Sequence, residues 1–112
     1  MSDVLLKTAE ELRSTIEAAQ AAGVDLPWLG RFPNKGCNFA SNLLLLKFAD
    51  AGISPLRRMI GTVTDERGDD IANHVWVVAD GHIVDITADV YGQPKVIVSE
   101  TSAWHDLSLI HI

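Results

Sequence analysis

Leu5, Ala9, Leu12, Ile16 and Ala19 recur at alternating steps of four and three, with Glu10, Glu11, Arg13 and Glu17 on the positions between. This spacing gathers the apolar side chains on one stripe and predicts an amphipathic helix over 3–22. Gly23, suited to the left-handed conformation past a helix end, and Pro27 close it. Residues 24–36 contain Pro27, Gly30, Pro33, Asn34 and Gly36, too many breakers for regular structure, and form a connecting segment with Trp28, Leu29 and Phe32 tucked against the core. After Cys37 the residues are apolar nearly all round, through Phe39, Ala40, Leu43 to Leu46, Phe48 and Ala49, until Ala51-Gly52. A central helix over 37–50, buried on most sides, is expected. Beyond Pro55, stretches rich in Val, Ile and Thr at 59–64, 73–79, 82–88 and 95–98 predict strands of an antiparallel sheet. Asp80-Gly81 joins two of them as a hairpin, because both turn positions need positive φ, which Asp tolerates and Gly favours. The expected class is α+β: N-terminal helices, and a buried Cys-bearing helix packed on a small antiparallel sheet.

Composition narrows the function classes. At 112 residues, with 47% hydrophobic and 21% charged, the chain suits one domain over 1–112 with one core. The formal charge of -6 is spread along the chain and Arg57-Arg58 is its only adjacent cationic pair, so no nucleic-acid partner is expected. No apolar stretch approaches a bilayer span, and the N-terminus lacks a basic region followed by an apolar one. No membrane partner is expected; the location is cytoplasmic, or exported as an effector without a classical signal peptide. A single cysteine makes no internal disulfide. The apolar finish Ser108-Leu109-Ile110-His111-Ile112 looks like translated adapter sequence, so a truncated C-terminus is expected and nothing after about Leu107 is given a role.

Cys37 is the group on which chemistry can be built. It follows Gly36 at a helix start, where unpaired backbone amides and the positive end of the helix dipole stabilise a thiolate. Gly36 leaves room for a substrate backbone, and the Cys37 amide can donate to a developing oxyanion. In the Asp80-Gly81 hairpin a two-residue turn pairs Ala79 with His82, Trp76 with Asp85 and His74 with Thr87. Alternation then puts His74, Trp76, Asp85 and Thr87 on one face, with His74 and Asp85 diagonal neighbours. A carboxylate there orients the imidazole and favours the imidazolium that partners a thiolate. The three converge if the central helix lays its N-terminus over that face. Gly36 and Trp76 fall on the substrate side of such a site.

Gly36-Cys37 heading a helix, His74-Val75-Trp76 on one strand and Asp85-Ile86-Thr87 on the next resemble the transglutaminase-like branch of the papain-like cysteine enzymes, over about residues 34–92. The resemblance implies a papain-like core in which Cys37 is nucleophile, His74 base and Asp85 orienting acid. The chain departs from that family in a short interval between Cys37 and His74 and in lacking a Trp beside the nucleophile, which leaves peptide hydrolysis, deamidation and transglutamination all open.

Other constellations give less. His82 reads as a solvated group beside the turn, and His105 and His111 have no Cys or carboxylate at zinc-ligand spacing apart from Asp106, so neither a metal nor another cofactor is expected. Asp85 and Asp89 lack the sugar cleft of a glycosidase pair, and Ser41 lacks a G-x-S-x-G context. The function expected is that of a cysteine-dependent amide hydrolase or acyl transferase acting on a protein or peptide. The alternative is a catalytically inactive relative serving as a binding or adaptor module, with Trp28, Leu29 and Phe32 as its contact patch.

Overall fold

The computed structural model describes residues 2–65 and 67–110, of which 2 and 107–110 are described by their backbone alone. Helix α1 (Ser2–Ala21) buries Leu5, Ala9, Leu12 and Ile16, the stripe its periodicity predicts. Arg13, expected on the polar side, is also buried. Its Nη1 donates to the Ile86 carbonyl at 2.7 Å and to Asp89 Oδ1 at 2.9 Å, Nη2 reaches Asp89 Oδ2 at 2.8 Å, and the guanidinium lies 4.8 Å over the Phe32 ring. A two-pronged guanidinium on a carboxylate fixes direction as well as distance, so α1 anchors the segment that follows Asp85.

Helix α2 (Cys37–Asp50) starts and stops where the sequence predicts. It is not buried on most sides, however. Ala40, Ser41, Leu44 and Phe48 form its buried stripe, while Phe39 is 46% and Leu46 68% exposed. A sheet lies against only one side of the helix, and in so small a domain apolar residues outnumber the inward positions.

The sheet contains β1 (Leu56–Thr64), β2 (Asp70–Ala79), β3 (His82–Asp85), β4 (Ile97–Ser99) and the two-residue β5 (Leu109–Ile110), in the order β4-β3-β2-β1-β5 with every neighbour antiparallel. Asp80 (φ 48°) and Gly81 (φ 78°) make the expected tight turn, and Ala79 pairs with His82 and Val77 with Val84. The architecture is α+β with an antiparallel sheet. Strand β3 ends at Asp85 rather than near 88, because the Asp85 carboxylate accepts the Thr87 N–H at 3.0 Å and the chain coils into a 3-10 turn over Ala88–Tyr91. A short acidic side chain bonding the backbone two residues on competes with the strand ladder.

Val77, Ala79, Val84 and Ile86 form one cluster with the buried residues of α1 and α2. Alternation turns His74, Trp76 and Asp85 to the opposite face, which the short helix α3 (Ala103–Ser108) covers with Trp104 and His105. The sheet is thus buried on both faces, and His74 through Val77 form an unbroken buried run. Neither α3 nor β5 is expected from the sequence pattern; His111 and Ile112 lie outside the described residues. Among the described residues no helix is long and apolar enough to cross a membrane.

Candidate active site

The body of α2 packs on the face opposite His74, contrary to the expectation that its N-terminus would lie over the His74 face. Convergence is reached at the strand's edge instead. Past Val77 the β2–β3 pairing ends, and the freed edge of β2 meets α2. Ser41 Oγ donates to the Val75 carbonyl at 3.1 Å, and the Val75 backbone also hydrogen-bonds the Cys37 sulfur, one turn earlier on the same helix face. Two side chains spaced i, i+4 therefore take up the backbone of the residue next to His74, and this docking brings the thiol to the imidazole.

His74 sits between Cys37 and Asp85. Its Nε2 donates to Asp85 Oδ2 at 2.6 Å, which leaves Nδ1 for the Cys37 thiol, with which the ring is also hydrogen-bonded. Burial alone would push the imidazolium down, yet the bonds to Asp85 and Cys37 outweigh it and hold His74 at about 9. Burial likewise works to raise the Cys37 thiol, and its bond to His74, then the Val75 backbone, bring it below its ordinary value. Asp85 is held down at about 2 against the upward push of its burial, first by His105 and then by His74 and the Thr87 amide. Proton occupancy is thus biased toward a thiolate, an imidazolium and a carboxylate in a row.

The surroundings restrict water. Trp76 lies against His74 with ring centroids 5.9 Å apart, and Tyr91 and Trp104 set their edges against it at 5.4 and 5.6 Å. His74 and Asp85 are 1% exposed, while Cys37 keeps partial exposure. Burial and the charges of Cys37 and Asp85 push the Tyr91 phenol up, so it remains a neutral wall over the usual pH range.

Several sequence expectations are corrected here. Trp76 is 2% exposed and packs on His74 and His105, so it forms the back of the site rather than a substrate surface. Gly36 leaves room for Phe32, not for a substrate: a Cβ there would fall 2.7 Å from Phe32 Cδ1. Gly36→Ala is accordingly expected to destabilise the domain by about 1 to 2 kcal/mol through overpacking at the start of α2, read as a lower urea midpoint. Leu29 and Phe32 are buried, which removes them from the contact patch suggested above. His82 is largely packed, with Nδ1 3.0 Å from the Asp80 carbonyl, rather than solvated.

His105, dismissed on spacing, is 1% exposed and places Nε2 2.7 Å from Asp85 Oδ2. Tyr91 and Trp104 also belong to the site without having been singled out, and Thr87, placed on the His74 face by alternation, gives its amide to Asp85. The one sequence signal for His105 was Ser102 three residues ahead, a helix-cap spacing whose Oγ accepts the His105 N–H at 3.3 Å. His74, Asp85 and His105 offer donor atoms within 4.8 Å of one another, the arrangement from which a metal site is built. Their N···O separations of 2.6 and 2.7 Å are those of charge-assisted hydrogen bonds, and the three read as a proton-linked chain.

Compared with protein-family models, curated proteins and solved structures, the chain matches none of them. The site's own chemistry carries the functional reading.

Proposed function

We propose that this chain is a cysteine-dependent amide hydrolase or acyl transferase, built on a small version of the papain-like, transglutaminase-like core, that acts on a protein or peptide without a cofactor. The observation that carries the reading is the row from Cys37 through His74 to Asp85, with the thiol at the first residue of α2. With the thiol proton already on His74 Nδ1, the Cys37 thiolate bonds to the acyl carbon as the carbonyl π bond opens, and the Cys37 amide donates to the developing oxyanion. The C–N bond then breaks and the departing nitrogen takes the proton from His74. Water or an amine, deprotonated by His74, attacks the thioester, and the C–S bond breaks to restore the thiol.

An open groove lined by Pro27, Trp28, Arg31, Lys35 and Phe39, with Trp28 and Phe39 stacked at 5.4 Å, flanks the start of α2. It favours a peptide as substrate, and it is also the feature that supports the non-catalytic binding alternative. Mass spectrometry after exposure to p-nitrophenyl esters and glutamine-containing peptides separates the two. The enzyme reading predicts an acyl adduct on Cys37 that is absent from Cys37→Ala, with product release; no adduct and no turnover across the panel would contradict it.

A further inference from the structure

We infer that His105 is a positioning residue for the thiol site: oriented by Ser102, it donates to Asp85 and so keeps that carboxylate fixed and ionised behind His74. This rests on the Cys37-His74-Asp85 reading above. The His105 Nδ1 lies 2.6 Å from Ser102 Oγ and its Nε2 2.7 Å from Asp85 Oδ2. An ionised carboxylate only accepts, so the proton on the Asp85 side belongs to Nε2; the Ser102 hydroxyl then donates to the bare Nδ1. Because the same Oγ also accepts the His105 backbone N–H, the hydroxyl is held at the ring and fixes its orientation in the tautomer that Asp85 selects.

Asp85 receives a complete set of donors from this arrangement. Its Oδ2 takes N–H bonds from His74 of β2 and His105 of α3, and Oδ1 takes the Thr87 amide. A carboxylate this deeply buried stays charged only when its lone pairs are met by donors. Cys37 of α2 and Tyr91 of the 3-10 turn are the other titratable groups acting on it. From α1, Arg13 is engaged by Asp89 and Glu17; Asp106, next to His105, is exposed. The Trp76 and Trp104 rings, 4.7 and 4.8 Å from the His105 ring, wall it against water. With the His105 donor lost, Asp85 protonates at higher pH, and His74 loses its charged partner as it does.

The test is the acid titration of the Asp85 carboxyl, followed by its 13C shift, in the native protein, His105→Phe, His105→Gln and Ser102→Ala, with the pH profile of iodoacetamide alkylation of the native Cys37 beside it. In His105→Phe the Asp85 titration is expected to move up by about one pH unit, and in His105→Gln, which keeps an N–H donor, to return most of the way. Ser102→Ala should give a smaller move in the same direction. A folded His105→Phe in which Asp85 titrates where it does in the native protein overturns the inference while leaving the Cys37–His74 pair standing. A native thiol without any low limb instead contradicts the reading beneath it. The 15N ring shifts of His105 in the unsubstituted protein give an independent check that no folding defect can obscure: a protonated Nε2 and a bare Nδ1 are expected, and a bare Nε2 overturns the inference.

Discussion

His74→Ala is expected to slow alkylation of Cys37 at pH 6, by about tenfold for each pH unit that the thiol rises when its partner is lost. An ordinary thiol with a pKa near 8.5 is only about 0.3% thiolate at that pH. Hydrogen bonding to His74 is the strongest influence holding the Cys37 thiol down, and without it the upward push of burial prevails. Thiolate fraction alone gives about tenfold for each pH unit that the thiol rises; a thiolate of depressed pKa is also a weaker nucleophile, with a Brønsted slope of about 0.4 to 0.5, which reduces the difference. The domain should remain folded, since His74 is walled by Trp76, Tyr91 and Trp104 and the helix contacts through Ser41 are untouched. Equal rates in the two proteins at pH 6 would mean that the thiol is not activated by its neighbour.

Asp85→Asn is expected to lower stability by about 2 kcal/mol near pH 5.5, with the loss shrinking toward both acid and alkaline pH. Asp85 is lowered from 3.8 to about 2, so its contribution is present above 3.8 and is lost as pH falls through about 2. His74 is raised from 6.5 to about 9, so its contribution is present below 6.5 and is lost as pH rises through about 9. At 1.36 kcal/mol per pH unit these correspond to about 2 and about 3 kcal/mol. They differ because His74 also gains from Cys37, whereas Asp85 gains from His105 and Thr87; both include the one His74–Asp85 contact and are not added. Urea midpoints of the two proteins at pH 2.5, 5.5 and 9 should therefore differ most at 5.5. An offset independent of pH would assign the loss to packing rather than to the ion pair.

How far the sequence reaches follows from what each signal measures. The α1 stripe, the α2 bounds and the Asp80-Gly81 turn rest on local periodicity and φ preference, and all were legible. Hairpin parity also placed His74 and Asp85 on one face, because a two-residue turn leaves a single register. The route of Cys37 to His74 was not legible. Whether a helix approaches over a face or along an edge depends on where a strand ends, and β3 ends early through a side-chain bond from Asp85 to the backbone of Thr87. The partial exposure of α2 was missed for a related reason: Leu43 to Leu46 look uniformly apolar, and only the packing decides which of them face the sheet. His105 escaped because its partner lies twenty residues away in the chain, beyond any local motif. The buried run His74-Val75-Trp76-Val77 was the available hint that both faces of β2 are covered, since a strand with one wet face alternates apolar with polar residues.

The most direct test of the Cys37–His74 pair is the full pH profile of iodoacetamide alkylation of the native protein. A thiolate–imidazolium pair predicts a rate that rises well below the free-thiol pKa of about 8.5, holds a plateau through neutrality, and changes again as His74 loses its proton at about 9. A single rise at or above the free-thiol value, with no plateau beneath it, would contradict the pair and with it the proposed thiol chemistry.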